Sequence, residues 1–174
     1  YDVNKKYLFL ARDHIGIKPL YFYDKKGKFI FSSTIKAIKK LVTNEIKPND
    51  EMIRDFLIYN MTDHSNETFF KEIHKLPKAS FMLYNLKSSK YKIYKWYDFS
   101  FNKNNPEANF NQLVSELRDA LSSSVNLRLV SDVPVGTSLS GGIDSSSIAC
   151  LIKKSNKSEI KTFSGIFPGF AQDE

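Results

Sequence analysis

Cysteine is almost missing from this sequence: Cys150 is the only one in 174 residues. An internal disulfide is excluded, and a reducing, cytoplasmic setting is the expectation. No apolar run approaches the roughly 20 residues of a membrane-spanning helix. No charged-then-apolar opening segment marks a secretion signal. The first residue is Tyr1, not Met, so the reading is a piece of a longer chain or a processed product. Internal repeats and low-complexity stretches are absent, as are arginine-rich stripes and nucleic-acid motifs. The net charge of +7 is carried by lysines spread along the chain. It reads as a solvated basic surface, with neither nucleic acid nor membrane as a partner. His14, His64 and His74 are too scattered to hold a metal and are read as structural or surface residues. Cys150 is read as a small buried hydrophobe.

A 41% hydrophobic content at this length suffices for one core or two small ones. Residues 7–13 read as a mostly buried strand, 14–19 as a turn, 20–23 as a second strand and 29–31 as a third. Asp24-Lys25-Lys26-Gly27 is a hairpin signal. Ile35, Ile38 and Leu41 predict a short helix, so the first forty residues read as an antiparallel meander running into a helix. Pro48-Asn49-Asp50 opens a second helix with Ile53, Phe56 and Leu57 inward. Residues 81–86 and 91–97 read as a hairpin. Its aromatic residues Tyr91, Tyr94, Trp96 and Tyr97 are assigned to packing, not base stacking. Arg12-Asp13 is read as an internal ion pair or a domain contact. The polar stretch 102–109 is the best linker. After it, Phe110, Leu113, Val114, Leu117, Leu121 and Val125 predict the strongest helix of the chain.

Residues 133–139 then read as a buried strand, 145–154 as a helix with Ile148, Leu151 and Ile152 inside, and 162–167 as a strand. Strand, helix, strand is a βαβ unit, and its ligands belong beyond the carboxyl ends of the strands. Ser140-Gly141-Gly142-Ile143-Asp144-Ser145 lies there. Gly141 and Gly142 let the backbone turn sharply and approach a ligand closely. Ser140, Ser145 and Ser146 carry hydroxyl donors, and the amides opening the helix favour an anion. Asp144 would repel bound phosphates unless a cation lay between them, and Mg2+ suits that place.

Walker A chemistry is excluded: Gly136 and Gly141 have its spacing, but Gly142 and Ile143 stand where Lys and Ser/Thr are needed. A nucleophile elbow is excluded because Ser138, not Gly, precedes Ser140 by two. Ser140 is therefore a phosphate ligand and not a nucleophile.

Ser-Gly-Gly-Ile-Asp-Ser resembles the pyrophosphate-binding loop of the N-type ATP pyrophosphatases. The flanks narrow the resemblance. Leu129–Gly136, Ala11–Tyr21, Thr68–Pro77 and Phe163–Glu174 are similar, in collinear order, to segments of the glutamine-hydrolysing asparagine synthetases. The implied fold class is α/β with an α+β N-terminal part. It begins with an antiparallel sheet remnant of an αββα amidotransferase sandwich and continues as the first βαβ of a parallel-sheet ATP pyrophosphatase (PP-loop) domain. The implied boundaries are 1–97 for the amidotransferase part, 98–108 for a linker and 109–174 for the synthetase part.

The resemblance implies an ATP-dependent carbon–nitrogen ligase. It would activate aspartate with MgATP as β-aspartyl-AMP and amidate it with ammonia from glutamine. ATP and Mg2+ are the implied cofactors. ATP, aspartate and glutamine are the implied small-molecule partners, and a homodimeric full-length form is compatible with the family. Ser140, Gly141, Gly142, Asp144 and Ser145 match the pyrophosphate loop, with Asp144 as the Mg2+ ligand. Leu139 matches a position contacting ATP through its backbone, and Gly165 falls at the adenine contact. There the chain departs: the family has an apolar residue and then Gly, whereas Gly165-Ile166 reverses the order. Pro77-Lys78-Ala79 likewise departs from the family's Pro-Pro-Gly turn. No residue carries over as catalytic. Cys150, inside a helix, does not match the N-terminal nucleophile, and the glutamine- and aspartate-binding positions are expected outside residues 1–174. Two alternatives stay open: a related amide-forming enzyme of the β-lactam synthetase or peptide-cyclase type, and a truncated fragment without activity.

Overall fold

The computed structural model describes residues 1–42, 44–99, 109–155, 160–166 and 169. Most of the expected linker (100–108) and most of the last eight residues lie outside them. The chain divides into two units, 1–101 and 102–174.

The first unit is mixed α/β with two antiparallel sheets. One has the order β1 (Tyr7–Ala11), β5 (Ser80–Asn85), β6 (Lys90–Lys95). The other has the order β3 (Lys28–Ser32), β2 (Tyr21–Lys25), β4 (His74–Lys75). The expected meander is corrected here. β1 pairs with β5, from Tyr7↔Asn85 to Ala11↔Phe81, and β2 belongs to the other sheet. Of β1 only Leu10 is buried.

Side-chain alternation explains the layering. In β5, Ser80, Met82 and Tyr84 are buried and their neighbours are half-buried, the period of two that a pleated strand imposes. Met82, Leu10, Phe22 and Leu76 form one core cluster, joining the two sheets face to face. Phe22 and Tyr23 are both buried because β2 is covered on both sides. Tyr23 faces a second cluster with Ile38, Val42 and Ile73, and Ile38 belongs to α1 (Ile35–Leu41). Each such fully buried apolar side chain contributes about 1.5–3 kcal/mol. The Tyr23 hydroxyl donates to Glu45 Oε2 at 2.8 Å, so its polar end is satisfied.

The crossing between sheets is made by the turn after β1, and Arg12 and Asp13 hold it. Arg12 donates to the carbonyls of Lys18 (3.1 Å), Leu76 (2.8 Å) and Gly16 (2.9 Å). Asp13 Oδ1 accepts from the amides of Ile15, Gly16 and Ile17, and Oδ2 from that of Lys18. These amides, Lys18 and Ile17 foremost, hold its carboxyl at about 2, below the ordinary 3.8. The two residues bind backbone rather than each other, which corrects the ion-pair reading.

In α2 (Asp50–Tyr59) the buried residue is Met52, whereas Leu57 is 75% exposed and Phe56 is turned edge-on to Phe69. The helix is where the sequence placed it, but its inward stripe is shifted. The aromatic residues of β6 and its extension pack within the unit: Tyr91 against Phe22, Tyr94 stacked on Phe81, Trp96 beside Tyr97. The three histidines sit apart, at Tyr97 for His14, Asp55 for His64 and Glu67 for His74.

The second unit holds α3 (Phe110–Arg128), β7 (Gly136–Ser138), α4 (Ile143–Ser155) and β8 (Lys161–Phe163). Asn109 caps α3 by accepting from the Asn111 amide at 3.1 Å. β7 and β8 are parallel, from Gly136↔Lys161 to Ser138↔Phe163. The buried seven-residue strand expected over 133–139 is only three residues long, and Val133 is exposed. Pro134 has no N–H to give a ladder, so pairing begins beyond it. Val125 of α3 and Ile152 of α4 are buried. Cys150 is exposed, which corrects the buried reading: it lies off the side of α4 that Ile152 turns inward. No helix among the described residues is long and apolar enough to cross a membrane.

Candidate functional site

The site predicted from sequence lies at the carboxyl ends of β7 and β8, where a parallel pair opens onto its ligands. Leu139 continues the ladder past β7: its amide donates to the Phe163 carbonyl at 2.9 Å, and its own carbonyl accepts the Ser164 hydroxyl. Leu139, Ser140, Gly141 and Gly142 form the turn, and Asp144 and Ser145 lie in the first turn of α4. Gly165 follows Ser164 directly, just past the end of β8, so the segment that carries it is tied to the base of the loop. Six predicted residues fall within the seven-residue stretch 139–145, broken only by Ile143, and the seventh is one peptide from a residue bonded to the first.

Gly141 has φ +90°, and a Cβ built on it would meet nothing within 4 Å. The glycine is required by backbone conformation and not by crowding. Gly136 is the opposite case: its Cβ would lie 2.6 Å from the Phe163 ring. The cross-strand packing at the foot of the site therefore needs a residue without a side chain.

Ser145 closes the turn on itself. Its Oγ lies 3.1 Å from Ser140 Oγ, accepts from the Ser140 amide at 3.3 Å and reaches the Gly142 carbonyl at 3.1 Å. The first helical bond of α4 runs from the Ser146 amide to the Gly142 carbonyl at 3.1 Å. The amides of Ile143, Asp144 and Ser145 have no partner among the described residues. These are the orphan donors of a helix N-terminus, backed by the positive end of a thirteen-residue helix. All of them lie in an exposed or half-buried stretch.

Asp144 is exposed and makes no side-chain hydrogen bond or ion pair among the described residues. On its own it complements the helix dipole. With phosphates on the adjacent amides, its charge needs a cation, and one carboxylate plus phosphate oxygens is the donor set Mg2+ takes. No group of three or more metal-ligating side chains occurs among the described residues. Sequence reasoning missed Ser164 as the residue that anchors the loop. The signal was a hydroxyl residue immediately after the second strand, facing the carboxyl end of the first.

Two families match the chain in collinear order: a glutamine amidotransferase domain over residues 1–97 and an asparagine synthase over residues 116–174. Among curated relatives, asparagine synthetase [glutamine-hydrolyzing] 1 of Bacillus subtilis is 33% identical over 94% of this chain and 25% of its own length. Asparagine synthetase [glutamine-hydrolyzing] 3 of the same organism is 32% identical over 94% of this chain and 27% of its own. Asparagine synthetase B of Escherichia coli is 31% identical over 88% of this chain and 22% of its own. The chain thus spans about a quarter of the length of these relatives.

Proposed function

The chain belongs to the glutamine amidotransferase domain family, and from that premise we propose that it is part of a glutamine-dependent asparagine synthetase. Residues 1–97 are the C-terminal part of the amidotransferase domain. Residues 98–108 are the linker, and 109–174 are the N-terminal part of a PP-loop synthetase domain. The intact enzyme makes ammonia from glutamine and activates aspartate with MgATP. A carboxylate oxygen of aspartate attacks the α-phosphorus of ATP, and pyrophosphate leaves. Ammonia then attacks the acyl carbon of β-aspartyl-AMP, and AMP leaves with the bond electrons.

The observation that carries this reading is the run of orphan amides at Ile143–Ser145 beside the hydroxyls of Ser140 and Ser145. Such a cradle suits the departing pyrophosphate, since charge grows on its oxygens as the bond breaks. Ser145 exchanges its bond to the Gly142 carbonyl for one to a phosphate oxygen. Asp144 would hold Mg2+, which would supply positive charge against the pyrophosphate. Gly165 is assigned to the adenine contact. No residue of this chain is assigned to breaking or making the reacting bonds; its residues bind and orient.

The test is product analysis of the intact protein given aspartate, glutamine and MgATP. The proposal expects asparagine, AMP and pyrophosphate in equal amounts. Formation of ADP and phosphate, or AMP release without any asparagine, contradicts it.

A further inference from the structure

We propose that Ser164 is a positioning residue for the nucleotide loop, acting through the Leu139 carbonyl; this rests on the pyrophosphate-loop reading above. Leu139 opens the glycine turn, and both of its backbone polar groups are spent on the β8 segment. Its amide donates to the Phe163 carbonyl at 2.9 Å, and its carbonyl accepts the Ser164 hydroxyl. The first bond extends the parallel ladder by one rung. The second is a side-chain bond past the end of the ladder, where backbone pairing stops.

The consequence is rotational. With its amide fixed alone, the Leu139 peptide plane could still tilt about ψ, and every later residue of the turn would swing with it. Fixing the carbonyl as well sets the plane from which Ser140 and Gly141 depart. Gly141, at φ +90° with no neighbour within 4 Å of its missing Cβ, has no steric means of holding the turn. Ser145 ties Ser140 to Gly142 within the turn but does not fix the turn to the sheet. Among the described residues, Ser164 is the side chain that does so from outside. It precedes Gly165, so one short segment sets the loop and carries the residue assigned to the adenine.

The test uses the intact protein and three variants. Ser164→Ala removes the donor, Ser164→Thr keeps it, and Asp144→Ala is the control on the nucleotide reading. The expected result for Ser164→Ala is a KM for ATP raised about fivefold with kcat within about twofold. Faster hydrogen exchange at the bonded amides of Leu139, Ser140 and Ser146 accompanies it. Ser164→Thr restores both. Ser164→Ala with unchanged KM and unchanged exchange overturns the proposal, as does a loss that Ser164→Thr fails to repair. An inactive Asp144→Ala beside a normal Ser164→Ala leaves the pyrophosphate reading standing and removes this proposal alone. A wild-type protein without ATP–pyrophosphate exchange removes both.

Discussion

The hydroxyls of Ser140 and Ser145 lie 3.1 Å apart across the Gly141–Gly142 turn. The two ends of the loop are thus joined before any ligand arrives. Ser145 also reaches the Gly142 carbonyl at 3.1 Å, so one hydroxyl organises the turn and, under the proposed function, would turn toward phosphate on binding.

Ser145→Ala removes both roles. In the intact protein, kcat/KM for ATP is expected to fall about 10- to 100-fold, the range of a lost hydrogen bond to a charged group. ATP–pyrophosphate exchange measures it. An exchange rate within twofold of wild type would show that the hydroxyl does not reach the phosphates.

Asp13 gives a pH prediction. Its carboxyl sits at about 2 in the folded protein against an ordinary 3.8, held down by the amides of Lys18 and Ile17 first. A folded value below the unfolded one means the stabilisation is present above pH 3.8. It is lost as the pH falls toward 2, where protonation removes the acceptor of four amides. Asp13→Asn lowers stability at neutral pH and flattens the acid limb between about pH 4 and 2. Urea unfolding followed from pH 7 to pH 2 checks this. A variant with the wild-type acid limb contradicts it.

Ala79 occupies the left-handed region at φ 54° while 3% exposed. Its amide donates to the Asp13 carbonyl and its carbonyl accepts from the Trp96 amide. A β-branched side chain cannot adopt that φ without strain. Ala79→Val is expected to cost about 2 kcal/mol or more. Ala79→Gly stays within about 1 kcal/mol, because relief of strain offsets the lost methyl burial and the added chain entropy. Denaturant midpoints at constant slope separate the two. A stable Ala79→Val would show that the turn rearranges freely.

Much of this was legible in the sequence because it is local. The β5–β6 hairpin, α3 and the glycine turn are each encoded by residues a few positions apart. The pairing of β1 with β5 was not, since nothing near Tyr7–Ala11 specifies a partner seventy residues on. Only the shared burial of Leu10, Phe22 and Met82 reveals that two sheets face one another. Pro134 carried the information that β7 must be short, but the apolar run around it masked that signal. In α2 the helical period was correct and the stripe was misplaced: Met52 faces inward because the chain before the helix sets its rotation. At the loop, the residue types carry the phosphate proposal, whereas the bond from Ser164 to Leu139 depends on strand register, which only the fold supplies.

The central claim is that Asp144 and the loop around it serve an ATP-cleaving, AMP-forming site. It is tested most directly by aspartate-dependent exchange of labelled pyrophosphate into ATP, catalysed by the intact protein, with Asp144→Ala alongside. Wild-type exchange that requires both aspartate and Mg2+, abolished in the variant, is the predicted result. Exchange that persists in Asp144→Ala contradicts the assigned role.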